Sequence, residues 1–204
     1  FLSDRRVVDL PRALWLPVLY GVILRIRPQR SARAYREIWT ESGSPLLVNT
    51  FALADALQLR LASLLPAPVT VATGMTYGNP SIAAALKELR ARDVQRLLVL
   101  PLYPQYSATT TAPVFDRVEV ALARLDWRPA VLSIDHYHAD AGYIAALVES
   151  LAGRIADFGA GAHLLFSFHG LPQRYVDAGD PYQEQCQLTA RLVATRLALP
   201  ADAW

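Results

Sequence analysis

The sequence predicts an α/β protein built on a parallel sheet. Three observations carry that reading. Short apolar or β-branched runs alternate with amphipathic stretches along the whole chain, which implies strand–helix–strand units with right-handed crossovers. Hydrophobic residues make up 53% and charged residues 19%, enough apolar surface for a buried core and against disorder. The loops that follow the runs are where aromatic residues and a histidine gather, as at the carboxyl edge of an open sheet.

Residues 13–25 read as an apolar helix with Pro17 in an early turn. Beyond Pro28, Ser31 is the expected N-cap of a helix over 32–42, with Tyr35, Ile38 and Trp39 on one face. Gly43-Ser44-Pro45 is a loop, and 47–64 a long amphipathic helix ended by Pro66 and Pro68. Val69 to Ala72 is a short strand running into the loop Gly74–Pro80, after which Ser81 caps a helix through Arg92. A second strand lies within 94–100, followed by the loop Pro101–Ser107 and a helix over 112–125. Asp126-Trp127-Arg128 interrupts the pattern and marks a domain junction. Strand 129–134, a loop with His136 and His138, helix 140–156, strand 162–168 and helix 181–197 complete the chain. Leu164, Leu165 and Phe166 in succession suggest that the last strand is central and covered on both faces.

A net charge of +2 is too small to argue for nucleic acid. Within residues 1–34, however, arginines 5, 6, 12, 25, 27, 30 and 33 face only Asp4 and Asp9. One cysteine, Cys186, excludes an intrachain disulfide and suits a reducing, cytoplasmic compartment; on its helix it reads as buried and inert. The apolar stretch Ala13 to Leu24 is too short to span a bilayer but can lie in a membrane interface. The chain starts at Phe1 and stops after Pro200-Ala201-Asp202, and is read as an internal piece of a longer protein.

Candidate site residues collect in three loops: Met75 and Tyr77, then Tyr103 and Tyr106, then His169. Aromatics, a thioether and an imidazole make a wall for a flat apolar ligand rather than a phosphate cradle. His169, where a strand meets Gly170, either binds a metal or moves a proton, or is a loop residue satisfied by backbone. His136 and His138 read as surface-loop residues, with an accessory metal site as the other reading. His163 suits a strand end or the core, and Asp177 and Asp180 suit loop structuring, Asp180 as the cap before Pro181.

Ser167-Phe168-His169-Gly170-Leu171-Pro172 with Gly179-Asp180-Pro181-Tyr182 resembles the ferrochelatase signature. Leu102-Tyr103-Pro104-Gln105-Tyr106-Ser107 with Thr109-Thr110-Thr111 resembles a second block of that family, and Met75, Tyr77 and Pro80 a third. Phe1-Leu2-Ser3-Asp4, Tyr35, Ile38-Trp39 and Gly43-Ser44-Pro45 are similar to its N-terminal region in proteobacterial members. The resemblance implies two Rossmann-like, chelatase-type parallel-sheet halves in three α-β-α layers, 1–126 and the start of a second half over 127–204, around a porphyrin cleft.

It implies a lyase that inserts Fe²⁺ into protoporphyrin IX with release of two protons, the last step of haem biosynthesis. A related chelatase for coproporphyrin or cobalt and a non-catalytic tetrapyrrole binder are the alternatives. His169 becomes the catalytic residue, as metal ligand or proton acceptor; Met75, Tyr77 and Tyr103 become cleft contacts, and Arg27 and Arg30 partners of the propionates. Segment 13–24 becomes a lip for peripheral contact with the inner face of the cell membrane. No cofactor beyond the substrate iron is implied: Ala108 stands where cluster-bearing members place a cysteine. Thr76 replaces the arginine that often precedes the cleft tyrosine. The acidic partner of His169 and any remaining cluster ligands would follow Trp204, so this segment alone is expected to be inactive.

Overall fold

The computed structural model describes residues 2–5, 8, 10–159 and 161–204; the side chains of Arg30, Ala156 and Phe158 also lie outside the described set. Phe1 of the N-terminal match, and Arg6 and Asp9 of the basic segment, are therefore outside the described residues. The chain is a mixed α/β protein that packs as two compact units. The first is Phe1–Leu97 with Pro113–Ala130, the second Leu98–Ala112 with Val131–Trp204. Two strands, β1 (Arg96–Val99) and β2 (Ala130–Ser133), pair side by side. The Ala130 N–H donates to the Gln95 carbonyl (2.9 Å) and the Ile134 N–H to that of Val99 (3.0 Å). Both partners advance by four residues in the same direction, so the pair is parallel. Helix α5 (Thr111–Arg124) forms the crossover between them.

In the first unit, α1 (Arg12–Val18) passes through a π-helical turn (Leu19–Ile23) into α2 (Leu24–Ile38). The expected break at Pro28 and the cap at Ser31 do not occur; both residues lie inside α2. A proline removes one backbone donor, and the arginines, alanines and glutamine around it are good helix formers that outlast the loss. Leu19 is buried, whereas Leu14, Tyr20 and Ile26 are exposed.

Helix α3 (Pro45–Leu64) starts at Pro45, a position where a missing donor costs nothing. The expected strand 69–72 does not join a strand ladder. Part of its backbone is met instead by one side chain: the Gln58 amide donates to the Val69 carbonyl (2.6 Å) and accepts from the Val71 N–H (2.7 Å). Helix α4 (Ile82–Ala91) is capped as expected, with Ser81 Oγ accepting from the Ala84 N–H (3.2 Å). Ile82, Leu86, Leu97, Val118 and Ala121 are buried and form the core of this unit.

The second unit holds α6 (Ala141–Phe158), α7 (Gln173–Asp177) and α8 (Tyr182–Arg196). Asp140 caps α6 by accepting from the Tyr143 N–H (2.9 Å). Its buried apolar residues include Ile144, Cys186, Ala190, Val193 and Ala194. Helix α7 falls where the sequence suggested only loop.

The segment 162–168 departs further from expectation. It joins no strand ladder, and Leu165 is 85% exposed, so it is not a strand covered on both faces. Ala162, Leu164 and Phe166 are half-buried while His163, Leu165 and Ser167 are exposed, an alternation that fits packing on one side and ends at exposed Phe168. Leu164 donates its N–H to the Ala203 carbonyl (2.9 Å), and the Phe166 ring meets Trp204 edge-on at 5.8 Å. Apolar composition allows cover on two faces; neighbours have to supply it.

Candidate active site

In the second unit, two loops are fastened together by one carboxylate. Asp180 Oδ2 accepts from Ser107 Oγ (2.9 Å) and from the Ala108 N–H (2.8 Å), while Oδ1 accepts from the Tyr182 N–H (3.0 Å). The N-cap of α8 is Pro181, with no side-chain cap, so Asp180 does not take the expected N-cap role; its carboxylate instead closes a turn on the Tyr182 N–H and reaches across 72 residues to the 101–110 loop. Two amides of the same region reinforce the join. Gln185 Oε1 accepts from the Tyr106 N–H (2.7 Å), and buried Gln105 donates to Thr189 Oγ1 (3.1 Å), itself 2.9 Å from the His138 carbonyl. These bonds, some side chain to backbone and some side chain to side chain, hold the two loops together.

His169 follows the 162–168 segment, is exposed, and lines a cavity of about 570 Å³. Phe168, Leu171, Tyr182, Cys186 and Ala190 make much of its wall, with Arg191 at the same cavity. Burial raises the Tyr182 hydroxyl above its usual range, helped by the Cys186 thiol and opposed by the His169 backbone. Burial likewise pushes the Cys186 thiol up, and the cysteine is buried, as the sequence suggested. Tyr103 lies in the 101–107 loop and is 42% exposed.

The two loop histidines differ from each other. His136 is exposed and its Nδ1 lies 2.8 Å from Asp135 Oδ1, as befits a surface residue. His138 is buried, contrary to expectation, and its ring lies 5.1 Å from that of His136. Burial, and then His136, lower its basicity below the usual imidazole value. His163, expected at a strand end or in the core, is exposed. Among the described residues no group of three or more His, Cys, Asp or Glu is arranged to hold a metal ion.

The first unit carries the other candidates. Met75 sits in a closed turn: its N–H donates to the Pro80 carbonyl (2.7 Å) and its carbonyl accepts from the Ile82 N–H (3.4 Å). Gly74 is required there, because a Cβ would lie 2.9 Å from the Ile82 Cα. Tyr77, half-buried, donates its hydroxyl to Asp4 Oδ2 (2.8 Å), and the Arg117 guanidinium lies 5.2 Å from its ring centroid. Burial and then Asp4 push the Tyr77 hydroxyl up to about 12. Arg27 is exposed on α2; Arg30 is on the same helix, its side chain outside the described set.

All of residues 1–204 match the family model for ferrochelatase. The chain belongs to the ferrochelatase family. It is 49% identical over its full length to the ferrochelatase of Thioalkalivibrio sulfidiphilus and 50% identical to that of Nitrosococcus oceani, covering 55% of each relative. Over 99% of its length it is 50% identical to the ferrochelatase of Methylibium petroleiphilum, again covering 55% of it. The chain spans about half the length of the curated relatives it matches.

Within this ferrochelatase-family chain, the structure groups Met75 with Tyr77 on one turn of the first unit, and His169 with the cavity of the second. Sequence reasoning missed Asp4 and Arg117 as partners of Tyr77, and Gln105, Gln185 and Thr189 as the clamp on the 101–107 loop. For Asp4 a signal existed, since it belongs to the N-terminal match. Arg117 had none: a single arginine on an amphipathic helix reads as a solvated face.

Proposed function

We propose that the protein of which this chain is a part inserts ferrous iron into protoporphyrin IX, giving protohaem and two protons, as the closing step of haem biosynthesis. The observation that carries the reading is His169, exposed at the edge of an apolar, aromatic-lined cavity in a chain of this family. Metallation removes two pyrrole N–H protons while a dication approaches the ring face. An imidazole is suited to either task near neutral pH, as acceptor of a proton or as ligand to the arriving metal. The iron enters as substrate and leaves in the product.

Met75, Tyr77 and Tyr103 are assigned to the porphyrin, and Arg27 and Arg30 to its propionates, whose carboxylates a guanidinium fork binds bidentately. Binding energy from such contacts would be used to bend the macrocycle so that its nitrogen lone pairs meet the metal. The reading extends to two Rossmann-like halves in three layers, residues 1–126 belonging to the first and 127–204 to the second. It also places the protein in the cytoplasm, with peripheral contact at the inner face of the membrane through the apolar side chains of 13–24. No helix among the described residues is long and apolar enough to cross a membrane, and Leu14, Tyr20 and Val22 are exposed, which supports an interfacial role.

The test uses the full-length protein with Fe²⁺ or Zn²⁺ and protoporphyrin, following the Soret band. Metalloporphyrin should form above the spontaneous rate, and His169→Ala should abolish formation while porphyrin still binds. No turnover by the wild-type protein would end the proposal; unchanged turnover by His169→Ala would remove the histidine from the mechanism. Faster metallation of coproporphyrin, or of cobalt, would move the reading to a related chelatase.

A further inference from the structure

We infer that Asp4 and Arg117 are positioning residues for Tyr77, holding its ring and hydroxyl in the one orientation that meets the flat face of the substrate. The inference rests on Tyr77 being a substrate contact, as proposed above. Its own support is geometric and lies within the first unit. The Tyr77 hydroxyl donates to Asp4 Oδ2 at 2.8 Å, a bond to a charged acceptor and so stronger than a neutral one. Arg117 Nη2 lies 3.5 Å from that same oxygen, and the guanidinium carbon 5.2 Å from the ring centroid, within cation–π range. The carboxylate grips the far end of the side chain while the cation covers the ring. A tyrosine tied by its Cα alone could swing about two dihedral angles; tied at both ends it cannot.

The three residues come from distant parts of the chain. Asp4 and Tyr77 are 73 positions apart, Asp4 and Arg117 are 113 apart, and Arg117 projects from α5. The Asp4 side chain is only 19% exposed and Arg117 49%, so the carboxylate is partly withdrawn from water while the guanidinium keeps an open side. Thr76, next to the tyrosine, is uncharged, and Arg117 brings a cation to the ring from another element. With its hydroxyl held up to about 12 by burial and Asp4, Tyr77 stays protonated and committed to the carboxylate at neutral pH. That makes it a shaped wall rather than a proton donor.

The experiment measures kcat and porphyrin KM separately in the full-length protein for Asp4→Ala, Arg117→Ala, Arg117→Lys and Tyr77→Phe, and for the double variant Asp4→Ala with Tyr77→Phe. Loss of a bond to a charged group should raise the porphyrin KM roughly ten-fold in Asp4→Ala, with a smaller change in kcat. Arg117→Lys, which keeps the cation without the planar fork, should recover part of what Arg117→Ala loses. In the double variant the Asp4 effect should shrink, since its partner hydroxyl is gone while its contact with Arg117 remains. An alkaline absorbance titration, read as the difference from Tyr77→Phe, should show Tyr77 ionising at lower pH in Asp4→Asn than in the wild-type protein.

Wild-type KM in Asp4→Ala and Arg117→Ala, in a protein that metallates porphyrin, would overturn this inference and leave the function intact. Additive effects of Asp4→Ala and Tyr77→Phe, or an unmoved tyrosine titration, would overturn it as well. A wild-type protein that neither binds nor metallates porphyrin would overturn the functional reading and, with it, this one.

Discussion

Replacing Asp180 with alanine removes an acceptor used by three donors at once: Ser107 Oγ, the Ala108 N–H and the Tyr182 N–H. The three losses are not equal. Ser107 Oγ also lies 2.9 Å from Thr109 Oγ1, so its hydroxyl retains a partner by rotating. The two backbone N–H groups have no such recourse, and each orphaned, partly buried donor costs about 1–3 kcal/mol. Because they share one carboxylate the costs overlap, and the expected loss for Asp180→Ala is about 2–4 kcal/mol. Asp180→Asn keeps one oxygen acceptor and turns the other position into a donor facing donors, so about half that loss should remain with either amide orientation. Urea denaturation of the full-length protein checks both, the midpoint falling with an unchanged slope. The same variants should lose porphyrin metallation more steeply than stability, since the loop that follows His169 is held through this carboxylate. Asp180→Ala within about 0.5 kcal/mol of the wild-type protein would refute the reasoning, because surface substitutions without a named defect fall in that range.

Gly74→Ala should cost about 1–3 kcal/mol, because the added methyl meets the Ile82 Cα at 2.9 Å and backbone cannot rotate away; a urea midpoint at the wild-type value would contradict this. Ser81→Ala removes the cap of α4 and should cost about 1 kcal/mol, seen as faster amide exchange in the first turn of Ile82–Ala91. His138, its basicity lowered by burial and then by His136, is neutral in the folded chain where the unfolded chain takes up a proton. Its contribution is therefore present above the ordinary imidazole value of 6.5 and lost as pH falls below that value towards the folded one. The stability–pH profile of His138→Asn should be flatter than wild type across that window; superimposable profiles would exclude the effect.

The parts of the fold legible in the sequence are those decided within one turn of chain. Ser81 caps α4 because a hydroxyl three residues before an amide reaches it. What was not legible depended on distant partners. The run Leu164-Leu165-Phe166 has the composition of a doubly covered strand, yet it is packed on one side, because cover is a property of neighbours rather than of the segment. The break expected at Pro28 failed for the opposite reason: a single local rule was outweighed by the helix-forming residues on either side of it. The site divides in the same way. The residue types of the 167–172 and 102–107 blocks were readable, whereas the bonds that join Asp180 to Ser107 and Asp4 to Tyr77 cross 73 residues each and leave no periodic trace.

The two aspartates point to a common design. In each unit a carboxylate takes part in holding a candidate functional loop: Asp4 binds Tyr77 on the turn that also carries Met75, and Asp180 binds the loop that leads from His169 into α8. An apolar clamp would tolerate small shifts of the loop, because dispersion is non-directional, whereas a carboxylate taking two or three donors fixes both distance and angle. On the proposed function, a site that bends a rigid macrocycle needs that kind of restraint, since strain imposed on the substrate is returned to the wall that imposes it. The two anchors should therefore differ in kinetic signature. On the proposed function, loosening Asp4 should weaken porphyrin binding and appear in KM, whereas loosening Asp180 should displace the segment after His169 and appear in kcat. Equal effects of both on the same constant would mean that the loops move as one body, and that the carboxylates stabilise the fold without dividing the work of binding and metallation.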